Sequence, residues 1–250
     1  MALRKRLTEK AGDKKICLIK EDSVGYVMLN EKVNVWNPEK IRDYIRILDE
    51  VEKDEQIKVM VTISTSPKYF STGFDLNVLM GDRKLSSPMY MHAQELFGRI
   101  LSMNCHTIAV TSGHVFAAGL MIAICHDTLL GTTADESGRW SMSELQIGIT
   151  ISEGMADIMK HLKTPKTART MMWGGRFTAD QMLSMEVVSK LYSKEEEVVE
   201  IVAKAVDKYG AYKGAATKEA KTNFHRRLLP NLWEPRLTDV TYELNTGMKL

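Results

Sequence analysis

Cysteine is scarce in this sequence: there are three, Cys17, Cys105 and Cys125, an odd number with no Cys-x-x-Cys spacing. That excludes a disulfide-stapled framework and reads as small buried hydrophobes in a reducing compartment. Cys105-His106 and Cys125-His126 put soft ligands side by side. Neighbours in a strand or helix point in different directions, however, so core packing is expected and no metal site. A charge excess is also lacking, with 34 Lys and Arg against 32 Asp and Glu for a net charge of +2. A nucleic-acid partner would ask for a pronounced basic surplus, and none is expected. Long apolar runs are missing too. The longest, Val115 to Cys125, spans 11 residues, far below the roughly 20 a membrane-spanning helix needs. No internal repeat and no low-complexity stretch interrupts the chain.

What is present is an ordinary globular composition: 250 residues, 44% hydrophobic and 26% charged, enough for a real core in one large domain or two small ones. Sixteen methionines read first as gap-fillers in that core. The first fifteen residues are basic (Arg4, Lys5, Arg6, Lys10, Lys14, Lys15) but include Glu9 and Asp13, a pattern read as a loose, solvated tail over 1–15.

Hydrophobic periodicity then divides the chain. Ile16–Leu18 and Val24–Leu29 read as strands joined by the turn Glu21-Asp22-Ser23. Asn37-Pro38 supplies a cap and a first-turn proline for a helix whose Ile41, Tyr44, Ile45, Leu48 and Val51 share one face. Ile57–Ile63 is a β-branched strand buried on both sides. Strand, helix, strand in this order predicts parallel pairing. A second cycle runs through a helix at Tyr90–Met103, a strand at Thr107–Thr111, a buried helix at Ala117–Ile124 and a strand at Thr128–Thr132. From Glu153 onward the pattern is mainly helical. The expectation is an α/β core over 16–195 followed by a helical C-terminal region over 196–250.

Three stretches concentrate glycines and polar residues next to these elements: KYFSTGFDL (68–76), GHVFAAGLMIAICHD (113–127) and WSMSELQIGI (140–149). Loops that leave strand ends in an α/β sheet expose backbone N–H groups toward a ligand. In the third, Glu144 stands among Met142, Leu145 and Ile147, a setting that raises a carboxyl pKa by desolvation.

The first stretch resembles the Phe-Ser-x-Gly-x-Asp-Leu loop of the crotonase (enoyl-CoA hydratase/isomerase) superfamily. The second resembles that family's Gly-x-x-x-Gly-Gly-Gly…Cys-Asp segment, and Ser143-Glu144-Leu145 with Ile147-Gly148-Ile149 resembles its active-site acid loop. A fourth run, WGGRFTADQMLSMEVVSKL (173–191), is similar to a later family segment, with Glu186 where the family prefers glycine. The resemblance spans about residues 15 to 200 and implies a ββα spiral core, an acyl-CoA thioester as substrate, no separate cofactor, and assembly as a homotrimer or a pair of trimers.

It also implies roles. The amides of Phe74 and Ala118 would hold the thioester oxygen, each such donor being worth about 3 kcal/mol in the transition state, and Glu144 would move the proton. Lys68, Ser71, Gly73, Asp75, Gly119 and Met121 would surround the substrate, with Lys221, Arg226 and Arg227 as further candidates for the CoA phosphates. Glu153 is an alternative base, about one residue out of register, though a dipole-favoured glutamate after a Ser152 cap is the preferred explanation of it. Hydratases of the family carry a second glutamate where this chain has Met121. One acid suits double-bond migration better than hydration, and the pattern is most similar to Δ3-Δ2 enoyl-CoA isomerases, including the plant peroxisomal branch. Hydration, thioester hydrolysis or silent acyl-CoA binding are the alternatives. The ending Met248-Lys249-Leu250 matches the peroxisomal Ser-Lys-Leu address in its last two residues only, so the cytoplasm and the mitochondrion stay open beside the peroxisome.

Overall fold

A computed structural model describes residues 2–81 and 83–233. Met248-Lys249-Leu250 lies outside the described residues. The basic N-terminus, expected as a loose tail, is helix α1 (Leu3–Ala11). Leu3, Leu7 and Ala11 recur every four residues and fall on one buried face. Arg4 fastens the helix from its other side. Its guanidinium donates to Glu195 at 2.9 Å, to the Tyr192 hydroxyl at 2.8 Å and to the Ser64 carbonyl at 2.9 Å. If this helix is part of the core, Leu7→Ala costs about 3 kcal/mol, read as a lower urea midpoint at unchanged m; a loose tail would leave the midpoint where it is.

Strands β1 (Ile16–Glu21) and β2 (Val24–Leu29) form an antiparallel hairpin. After the short β3 (Val35–Trp36), helix α2 (Pro38–Lys53) starts where the sequence predicts. The Asn37 side chain accepts from the Lys40 amide at 2.8 Å, and Pro38 occupies the first turn. β4 (Val59–Ser64) then pairs parallel with β2, as the strand–helix–strand order requires.

The chain continues through β5 (Tyr69–Ser71), β6 (Gly73–Phe74), α3 (Leu76–Leu79), α4 (Arg83–Leu101), β7 (His106–Val110), β8 (His114–Phe116), α5 (Ala118–Ile124), β9 (Thr128–Thr132) and β10 (Trp140–Ser141). A 3₁₀ turn (Glu144–Ile147) leads to α6 (Glu153–Leu162), α7 (Pro165–Met172), α8 (Ala179–Ser184), β11 (Lys190–Tyr192), α9 (Glu195–Tyr209), α10 (Ala215–Phe224) and α11 (Leu229–Trp233).

The main sheet has six strands in the order β1-β2-β4-β7-β9-β11, parallel everywhere except at the hairpin. Period-two alternation sends its side chains to two separate cores. Met60, Ala109 and Leu129 join one cluster with Ile41, Tyr44, Leu96 and Phe97 of α2 and α4. Val59, Val61, Ile108 and Val110 join the other with Leu3 and Leu7 of α1 and Val198 and Val202 of α9. Burial on both faces is why β4 carries no exposed residue. The turn after α8 places Glu186 at φ +57, left-handed backbone that favours the glycine the family pattern has there.

Candidate active site

The three chemistry-bearing stretches meet in a small second sheet. Its order is β10-β8-β5, all parallel, with Tyr69 opposite His114, Trp140 opposite Val115 and Ser141 opposite Phe116. These strands are two or three residues long and continue past the C-terminal ends of β4 and β7, the end of a parallel sheet where ligands bind. Each stretch thereby delivers its next few residues to one place.

On the first stretch, β6 pairs parallel with β3, Val35 facing Gly73 and Trp36 facing Phe74. The Asp75 amide donates to the Trp36 carbonyl at 2.9 Å. Alternate amides of a parallel ladder face the partner strand, so the Phe74 N–H points away from Trp36. On the second stretch, Ala118 opens α5, and its first-turn N–H has no intrahelical acceptor. The two backbones nearly touch: a Cβ built on Gly73 would lie 3.5 Å from the Ala118 nitrogen. Gly73 itself sits at φ +91, so the residue type follows from both strain and space.

The third stretch brings Glu144. It begins the 3₁₀ turn with 8% of its surface exposed, and its Oε2 is buried with no hydrogen-bond partner among the described residues. Burial pushes its pKa from the usual carboxylate value up to about 7, opposed only by its own amide. Its pocket, about 130 Å³, is lined among others by Thr72, Phe74, Ala117, Ser143, Ile149 and Met155. Phe74 is wedged there against Tyr90, ring centroids 5.2 Å apart. That volume matches roughly four waters at about 30 Å³ each, room for the reacting carbons of a ligand whose remainder lies outside. An apolar-walled carboxyl poised near neutrality, in a pocket that Phe74 and Ala117 also line, can take a proton from carbon and give it back.

Other expected site residues do different work. The Ser71 hydroxyl, expected to face substrate, is fully buried, donating to the Asn34 carbonyl at 2.8 Å and accepting from the Gly73 amide at 3.1 Å. Gly119 packs on that side chain, where a Cβ would come 2.5 Å from the Ser71 Cβ. Asp75 caps α3, accepting from the Asn77 amide at 3.0 Å. Met121 is wholly inside the core, because the first turn of α5 is covered on every side. Lys68 is exposed near the Tyr69 ring, and its carbonyl accepts from the His114 amide at 2.8 Å. Glu153 is exposed in the first turn of α6, after Ser152, whose Oγ accepts from the Met155 amide at 3.3 Å.

Lys221 donates to Asp127 at 2.5 Å and to the Cys105 carbonyl at 2.8 Å. That is the N-terminal edge of β7 and β9, opposite the pocket. Burial works to raise the Asp127 pKa, but Lys221, with His106 and the Thr107 amide, outweighs it and holds the carboxyl below its ordinary value. His126 is structural. Its ring bonds the Ile122 carbonyl at 2.8 Å and the Thr62 hydroxyl at 2.8 Å, and burial pushes its pKa down to about 4. Thr72, Ala117, Ser143 and Met155 were not legible as pocket residues, because their side chains carry no chemistry a motif would mark.

Residues 19–247 match the family model described as enoyl-CoA hydratase/isomerase. The Arabidopsis thaliana protein named enoyl-CoA delta isomerase 1, peroxisomal, is 30% identical over 171 residues, 67% of this chain and 70% of that one. The 2,3-dehydroadipyl-CoA hydratase of Escherichia coli is 23% identical over 163 residues, 65% of this chain and 62% of that one. Among solved structures, an enoyl-CoA hydratase from Bacillus halodurans superposes with a TM-score of 0.79 at 16% identity, over 92% of this chain and 94% of that one.

Proposed function

The chain belongs to the enoyl-CoA hydratase/isomerase family and has its crotonase-like fold, and from that premise we propose that it converts 3-enoyl-CoA thioesters to trans-2-enoyl-CoA. The observation that carries this reading is the lone buried carboxyl of Glu144, with a pKa near 7 and an unpartnered oxygen in an apolar pocket. The thioester oxygen accepts from the Phe74 and Ala118 N–H groups. Ionised Glu144 takes a proton from the α-carbon, and the negative charge spreads from the oxygen across the dienolate to the γ-carbon. Protonated Glu144 then delivers the same proton to the γ-carbon, leaving the double bond between the α- and β-carbons.

A pKa near the working pH suits a group that must act as base and then as acid. Hydration asks for a second group to hold and activate water, and Met121 at that position is sealed in the core. Association of subunits into a trimer or a pair of trimers is the family's implication, and the exposed Trp173 and Phe224 are apolar side chains such contacts would cover.

The test is a pair of incubations, one with a 3-enoyl-CoA and one with a trans-2-enoyl-CoA. The expected result is double-bond migration in the first and little β-hydroxyacyl-CoA in the second. Rapid hydration of the 2-enoyl thioester would transfer the assignment to a hydratase. Tight binding with no turnover of either would make the chain an acyl-CoA-binding protein.

A further inference from the structure

One residue of the pocket holds a conformation that its side chain disfavours. Ala117 has φ +50 and ψ −125, a region that glycine enters freely and that costs an alanine energy. Such strain persists only where the surroundings over-determine it, and here both sides of the residue are engaged. The Ala117 amide donates to the Ser141 carbonyl at 2.9 Å, which ties it to β10. Its carbonyl accepts from the Leu120 and Met121 amides at 2.9 and 3.1 Å, closing the first turn of α5. The peptide that follows carries the Ala118 N–H.

The methyl group has a definite neighbour. A Cβ built on Gly73 would come 2.8 Å from the Ala117 Cβ, so the methyl rests against the bare backbone face of Gly73. Gly73 precedes Phe74, and Ala117 precedes Ala118. The Ala117 methyl therefore lies between the two donor-bearing loops beside Gly73, as the Ser71 side chain does beside Gly119, and of these two it is Ala117 that lines the same pocket as Glu144.

We propose that Ala117 is a positioning residue: its methyl is the spacer that sets the separation of the Phe74 and Ala118 N–H groups. This rests on the reading of the pocket as an enolate site. A glycine would satisfy the backbone better and leave the spacing to drift. Stability and catalysis then move in opposite directions on substitution, which a purely structural role would not produce.

The test uses the full chain with acetoacetyl-CoA, a β-ketoacyl thioester whose enolate absorbs in the near ultraviolet, alongside turnover of a 3-enoyl-CoA. Wild-type protein is expected to make bound acetoacetyl-CoA at least about tenfold more acidic than the free thioester. Ala117→Gly is expected to melt a few degrees higher and to lose most of that gain in acidity. Its kcat falls about tenfold at little-changed KM, part of the 100- to 1,000-fold that deleting a donor outright costs. Ala117→Ser, which restores the β-carbon, recovers most of the lost rate. An Ala117→Gly protein with undiminished acidity gain and kcat overturns the spacer. Wild-type protein that binds acetoacetyl-CoA without shifting its acidity overturns the enolate reading itself, and the spacer with it.

Discussion

Replacing Glu144 with glutamine is expected to lower turnover of a 3-enoyl-CoA by about 100-fold or more while acyl-CoA still binds. Glutamine keeps the shape and loses the ability to accept a proton. The wild-type pH profile carries the same signature. With burial holding its pKa at about 7, the carboxyl is largely protonated and idle as a base at pH 6, so kcat/KM rises with pH and levels off above about 8. Stability runs the other way. The folded-state pKa exceeds the ordinary 4.5, so the native protein binds more protons than the unfolded chain between those values. Stability is lost as pH rises through about 7, on the order of 3 kcal/mol. Glu144→Gln removes that loss and melts above wild type at pH 8 but not at pH 4. Glu153→Gln, a change at an exposed helix start, leaves turnover and its pH profile in place. The reverse pattern, with Glu153→Gln inactive and Glu144→Gln active, would move the base to α6.

Gly113→Ala is the substitution expected to damage the fold most. Gly113 sits at φ +51, and an added Cβ would land 2.0 Å from the Lys68 carbonyl oxygen, which accepts from the His114 amide at 2.8 Å. Left-handed backbone costs alanine about 1–2 kcal/mol, and the overlap with a fixed main-chain atom adds about 1–3 kcal/mol. Together they lower the melting temperature by about 10 °C. Gly12→Ala separates the two costs. Gly12 has φ +57 with nothing within 4 Å of an added Cβ, so only the conformational part remains. Equal melting temperatures for the two variants would mean that the Lys68-Tyr69 and Gly113-His114 backbones are not held together as described.

The long elements were legible because burial on two faces forces β-branched runs and amphipathic helices force spacing. The strand expected at Ile57–Ile63 is β4 at Val59–Ser64, and the helix expected from Asn37-Pro38 is α2. Helix α1 was hidden because its apolar stripe is only Leu3, Leu7 and Ala11 among charges. The strands of the small sheet have two or three residues each, too short for any period to show. For the site, two of the motif residues, Phe74 and Glu144, line one pocket, and Ala118 follows its wall residue Ala117, but motif position did not reveal where each side chain turns. Ser71 and Met121 stand in the same motifs and face the core, a choice made by the register of β5 and the rotation of α5. Backbone torsion left no mark either: nothing in an Ala-Ala-Gly string announces φ +50 at Ala117.

The β10-β8-β5 sheet also bears on how such a protein changes over evolutionary time. Its strands hold one another by main-chain pairing, so the lengths of the segments that join them are not part of the specification. The largely exposed turn over residues 133–137 is free to gain or lose residues at small entropic penalty. Insertions there would alter the surface of the protein while the pairing that carries Ser143 and Glu144 to their place stayed as it is.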